Sequence, residues 1–233
     1  MAPPPQGTRA AAQGRIAATV GLLITLLAGC GPQPAEERGQ ALAADPRLSP
    51  SPSNVFACTT CHAVTAEPGS RLYPGHPLPG ALSRPSFWGG ELHYVLDAVN
   101  QCFVDFMRGT AFAADDPSGR ALLAYLRTLT PTTGAPDPAR PCTVVRNIDS
   151  TYLAQLPAGV PARGGDTYQR ACGYCHGAAH TGEGRLGPQV SRIPEDTIAS
   201  FSAAQAKAVI IEKARHGRYF GISGAMPFYC TEV

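Results

Sequence analysis

Apolar residues fall at helical spacing in several stretches of the chain. Between Glu91 and Phe106, Leu92, Val95, Leu96, Val99, Phe103 and Phe106 form one stripe, which predicts an amphipathic helix. Cys102 lies on that stripe and Met107 follows the helix end. Asp116-Pro117 then caps a second helix, with Leu122, Tyr125, Leu126 and Leu129 on one face. Ser202 to His216 predicts another helix, ended by Gly217. The segment Pro131-Thr-Thr-Gly-Ala-Pro-Asp-Pro-Ala-Arg-Pro141 is too rich in proline to be helical and reads as a linker. Its continuation, Cys142 to Gly159, is expected to run along the surface.

The first thirty residues read as an export signal. Arg9 and Arg15 give a basic start with no acidic residue, and an apolar run follows from Ile16 to Leu27. That run is short for a membrane-spanning helix. It ends on Leu27-Ala28-Gly29-Cys30, which resembles a bacterial lipobox. The resemblance implies cleavage before Cys30 and its acylation. The several acyl chains of a lipoprotein cysteine hold it on a membrane, where one chain binds only marginally. Residues 31 to about 37, with two prolines, read as a tether. The alternatives are a plain signal peptide or an uncleaved anchor.

Composition narrows the class. Gly 25 and Pro 23 are together about a fifth of the 233 residues, which predicts short helices and long connections. The formal net charge of +2 gives no argument for nucleic acid or for a strongly acidic partner.

The chemistry lies in the cysteines. Of eight, four fall in two copies of one pattern: Cys58-Thr59-Thr60-Cys61-His62 and Cys172-Gly173-Tyr174-Cys175-His176. C-x-x-C-H is the attachment site for c-type haem. The two thiols add to the two vinyl groups of the porphyrin, and the next residue offers its imidazole as proximal ligand. A redox dithiol does not need the histidine, and a zinc ribbon explains neither His62 nor His176. Export argues against free-thiol chemistry and supplies the compartment where haem is attached. Two covalently bound haems are therefore expected, one in a unit spanning residues 38–130 and one in a unit spanning 160–233.

The second unit resembles a class I cytochrome c domain. Gly165 to Ala171 leads into the motif as that family's N-terminal helix does. Leu186-Gly187-Pro188 resembles the loop whose proline carbonyl accepts a hydrogen bond from the proximal histidine, here His176. Gly224-Ala225-Met226-Pro227-Phe228 resembles the axial-methionine loop, so Met226 is expected as the second iron ligand. No helix follows it, whereas Asp116–Leu129 takes the part of such a closing helix in the first unit. The expected fold class is all-α: two tandem cytochrome c-like domains, the second apparently lacking its C-terminal helix.

In the first unit Met107 sits where the axial methionine of a class I domain sits. A competing resemblance is to the diheme thiosulfate dehydrogenases and the related SoxA cytochromes, carried by Asn100-Gln101-Cys102 with Met107 beyond it. There a cysteine thiolate ligates the active-site haem, which would give that role to Cys102. The usual Arg-Ile before the Asn is replaced by Ala98-Val99. A Cys142–Cys230 disulfide would leave Cys102 as the thiol left over; Cys102 could instead pair with Cys142, leaving Cys230 free, or be a small buried hydrophobe. Of the remaining candidates, His93, His180 and His216 are expected at solvated positions, His76 is held open, and Trp88 is expected against the first haem.

Three functions remain in order. The first is an electron carrier between redox partner proteins, lipid-anchored to a bacterial membrane and facing the periplasm or outside. The second is a thiosulfate dehydrogenase-like oxidoreductase, with a small-molecule substrate and basic residues Arg71, Arg84 and Arg108 near the first haem. The third is a haem subunit of a larger dehydrogenase.

Overall fold

The computed structural model describes residues 1, 32–65, 69–129, 157–219 and 225–229. The export signal with Cys30, the proline-rich linker, Cys142 and Cys230 lie outside the described residues. The described residues from 35 onward belong to one compact unit, the larger of two into which the chain divides at Pro34. The larger unit contains both C-x-x-C-H motifs. Among the described residues all regular structure is helical, with two isolated bridges, His62–Gly75 and Phe87–Leu92. No described helix is long and apolar enough to cross a membrane.

Helix α1 (Ala35–Ala44) begins inside the stretch read as a tether. Alanine favours helix, and Glu36 and Glu37 in its first turn complement the helix dipole. Its partner α4 (Pro117–Thr128) starts as predicted: the Asp116 carboxylate accepts from Ser118 N at 2.7 Å and Gly119 N at 2.9 Å. The two helices cross at Gly39. A β-carbon there would lie 1.9 Å from Ala121 O and 2.7 Å from Tyr125 Cβ. Glycine costs a helix interior about 1 kcal/mol relative to alanine, and here it permits the close approach. Ala43, Leu122 and Tyr125 form the core of the crossing, with Cys58 and Val99 packed against it. The helix pair thereby carries the first cysteine motif, which is the short helix α2 (Cys58–Cys61).

Helix α3 (Val95–Asp105) is shorter than the apolar stripe suggested. The chain over Trp88–Gly90 makes a 3₁₀ turn, with Trp88 at φ 54°, and Phe87 N bonds Leu92 O at 2.8 Å. Those bonds hold residues 87–92 out of the helix. Beyond α3, the Asn100 side chain bonds Phe112 N at 2.8 Å and Phe112 O at 3.0 Å, pinning the loop that carries Met107.

In the second half, α5 (Pro161–Thr167) runs through a π-helical turn (Tyr168–Cys172) into α6 (Gly173–His176). Helices α7 (Glu195–Ser200) and α8 (Ala203–His216) follow. The α8 ends are as predicted, with Ser202 as a side-chain cap and Gly217 (φ 53°) as the stop. His216 corrects the expectation of a solvated position: it is 5% exposed and its Nε2 lies 3.0 Å from buried Glu212. It falls four and eight residues after Glu212 and buried Ala208, on the inward face of α8.

Candidate haem site

The first motif opens onto a large apolar cavity. Helix α2 and the residue after it contribute Cys58, Cys61 and His62 to its lining. The α3 stripe and the turn beyond contribute Val99, Cys102 and Met107. Its empty space is about 1550 Å³ with the open mouth included. The lining is mainly apolar and aromatic, which suits the face of a macrocycle.

Local bonds set the motif's shape. Thr60 Oγ1 accepts from Ala57 N at 3.0 Å and His62 N donates to Cys58 O at 2.9 Å. His62 Nδ1 lies 2.7 Å from His76 O. A proton on Nδ1 makes that bond and leaves the Nε2 lone pair for a metal. Burial holds the His62 pKa below its ordinary value, which favours the neutral imidazole that ligation requires. Gly75 is the floor under that ring, since a β-carbon there would lie 2.3 Å from His62 Cε1.

The thiols are not those of a reactive dithiol. Burial pushes Cys58 up to about 11. Cys61 is also raised well above its ordinary value, first by burial and then by the neighbouring sulfurs of Cys175, Cys102 and Cys58. A catalytic C-x-x-C lowers its thiol pKa instead. The alternative pairing of Cys102 with Cys142 lies outside the described residues, because Cys142 does.

The second motif repeats the arrangement. His176 Nδ1 lies 2.7 Å from a backbone carbonyl, and burial lowers its pKa too. The acceptor is Ser191 O, which corrects the expectation of Pro188. Leu186 N bonds Cys175 O at 3.0 Å, and Val190 N bonds Gly187 O at 3.0 Å. The chain therefore turns tightly around exposed Pro188, and the next backbone segment meets the imidazole. Burial also raises Cys172, and Cys175 to about 11. Met226 is half-buried, and its carbonyl accepts from Arg218 N at 2.8 Å.

The other candidates sort by position. Met107 is 5% exposed and packs with Phe56 and Phe103, and its carbonyl accepts from Ser49 Oγ at 2.6 Å. Trp88 lines the cavity and stacks on Phe106, with ring centroids 6.2 Å apart. His93 and His180 are exposed, as expected. Arg84 lines the cavity, Arg71 donates to Thr60 O of the motif from beside it, and Arg108 is exposed in the turn after Met107. Sequence reasoning missed Pro227 and Phe228 as walls of this cavity. They follow Met226 in the second half, and no local pattern ties them to the first.

Residues 159–232 match the family model described as cytochrome c oxidase, cbb3-type, subunit III. No curated protein and no solved structure matches the chain. Two imidazoles that burial keeps toward the neutral form, each behind a pair of thiols, and this match agree on one chemistry: residues 159–232 are similar to a c-type cytochrome domain, a kind of domain that transfers electrons through covalently bound haem c.

Proposed function

We propose that this chain is a c-type cytochrome that binds two haems, one through Cys58 and Cys61 and one through Cys172 and Cys175, and carries single electrons between redox partner proteins. The carrying observation is the repetition of one construction: in both motifs the histidine after the second cysteine sets its Nδ1 2.7 Å from a backbone carbonyl. Haem c supplies a one-electron ferric/ferrous couple. The chain holds it by the four thiols, orients His62 and His176 toward the irons, and excludes water from the first site with Phe103, Phe106 and Trp88. Met107 and Met226 are the remaining ligands in this reading. A thioether on each iron raises the potential, which suits a carrier. Acylated Cys30 anchors the mature chain to a bacterial membrane on its exported side.

Cys102 supports a second reading. It lines the same cavity as His62 and Met107, so it too is placed to offer a ligand. As a thiolate it would favour ferric iron and the thiosulfate dehydrogenase-like role. A substrate anion would find Arg84 in the lining, while the Arg71 guanidinium is engaged with the Thr60 carbonyl. The oxidase-subunit description of the matching family supports a third reading, a haem subunit of a larger enzyme.

Optical and EPR spectra of Met107→Ala and Cys102→Ala separate these. The carrier reading expects Met107→Ala to convert the first site to high spin or to a new ligand. Cys102→Ala should leave ligation intact, and thiosulfate should leave the oxidised protein oxidised. Loss of the ferric low-spin signal in Cys102→Ala, together with reduction of the wild type by thiosulfate, would establish the enzyme instead.

A further inference from the structure

The two motifs meet at one side chain. Arg71 lies in the loop after the first motif, and its Nη2 donates to Thr60 O, inside Cys58–Cys61. Its guanidinium carbon is 3.5 Å from the ring centroid of Tyr174, inside the second motif, and 4.1 Å from that of Tyr73. The same charge acts on Cys61 and on Cys175, opposing the rise that burial imposes on each thiol. Flanking bonds fix the contact: Leu72 N donates to Arg170 O at 2.9 Å, and Arg170 Nε donates to Ser70 O at 2.7 Å. Arg71 Nε is buried without a hydrogen-bond partner among the described residues. A side chain serving only to fill this gap would be cheaper without a charge, because an unpaired buried donor is costly.

We propose that Arg71 is a positioning residue that locks the two C-x-x-C-H motifs edge to edge and serves both as one shared fixed cation. This rests on the two-haem reading above. Its physics separates into two parts. A fixed positive charge near both irons disfavours the more positive ferric state at each, so it raises both potentials. The planar guanidinium between two rings holds the motifs in register, which a flexible ammonium on a lysine stem does not reproduce.

The test uses the full chain with haem attached. It reads the two midpoint potentials by redox titration and the magnetic interaction between the two ferric centres by EPR. Arg71→Met should lower both potentials and change the interaction. Arg71→Lys should restore the potentials, because the charge returns, but not the interaction. Tyr174→Leu removes an exposed ring and spares the core, so it remains informative if the Arg71→Met variant does not assemble; it should change the interaction and leave the potentials near wild type. Wild-type potentials in Arg71→Met, a shift at one site only, or an unchanged interaction in Tyr174→Leu would each overturn the proposal. Failure of the two-haem reading is distinguishable: the wild-type chain would then show a single haem before any variant is compared.

Discussion

The two halves of the molecule use the same five-residue motif in different enclosures. In the first, α1 crosses α4 behind Cys58, α3 lines the cavity before His62, and residues 227–228 from the far half add to the wall. In the second, α5 and α7 bury no residue, Tyr174 is 46% exposed, and Cys175, Leu186 and Ala225 pack against Phe56, Phe103 and Met107 of the first half. The difference teaches that C-x-x-C-H specifies only the proximal side of a site. The imidazole and its carbonyl partner are local and recur at the same 2.7 Å. What surrounds the rest depends on packing between distant segments, and the two halves have solved that differently.

That comparison breaks most sharply at the cysteines. Replacing Cys172 and Cys175 together by alanine should remove one covalent haem and leave the first site's spectrum in place. Replacing Cys58 and Cys61 should do the converse. Loss of both haems from either double variant would show that the halves are not separable sites. An effect of similar size is expected at the anchor: Cys30→Ala should move the protein from the membrane to the soluble fraction, and retention after a salt wash would refute acylation there.

Smaller effects probe the enclosures. Gly39→Val inserts side-chain atoms where even a β-carbon lies 1.9 Å from Ala121 O. Overpacking of this kind costs about 1–3 kcal/mol and occasionally more, and the upper end is expected here. Denaturant unfolding should show the loss, with the first site's ligation disturbed before the second's. Asp116→Ala removes the cap of α4 and should cost about 1 kcal/mol. Ser202→Ala in the second half should cost about 0.5–1 kcal/mol, with no change at the first site. A Ser202→Ala effect on the first site would mean that the enclosures are coupled through α8.

The sequence made the motifs legible because covalent attachment ties function to a local spacing. Helices α4 and α8 were legible because Asp116, Ser202 and Gly217 are local start and stop signals. Helix α1 was missed as a helix, since its packing relies on the absence of a side chain at Gly39 and not on an apolar stripe. The start of α3 was misplaced because the Trp88–Gly90 turn is held by bonds between Phe87 and Leu92 that composition does not reveal. His216 reads as a polar residue in a basic helix end, yet it shares the inward face with Glu212. Ser191 as the carbonyl behind His176, Phe228 as a wall of the first cavity and Arg71 between the motifs all depend on contacts distant in sequence.

The most direct test of the central claim is the intact mass of the mature protein, unfolded to release any haem that is not covalently held. Two haem additions on every chain are predicted, one for each pair of thiols. A single addition, with either pair of cysteines unmodified, would contradict the account.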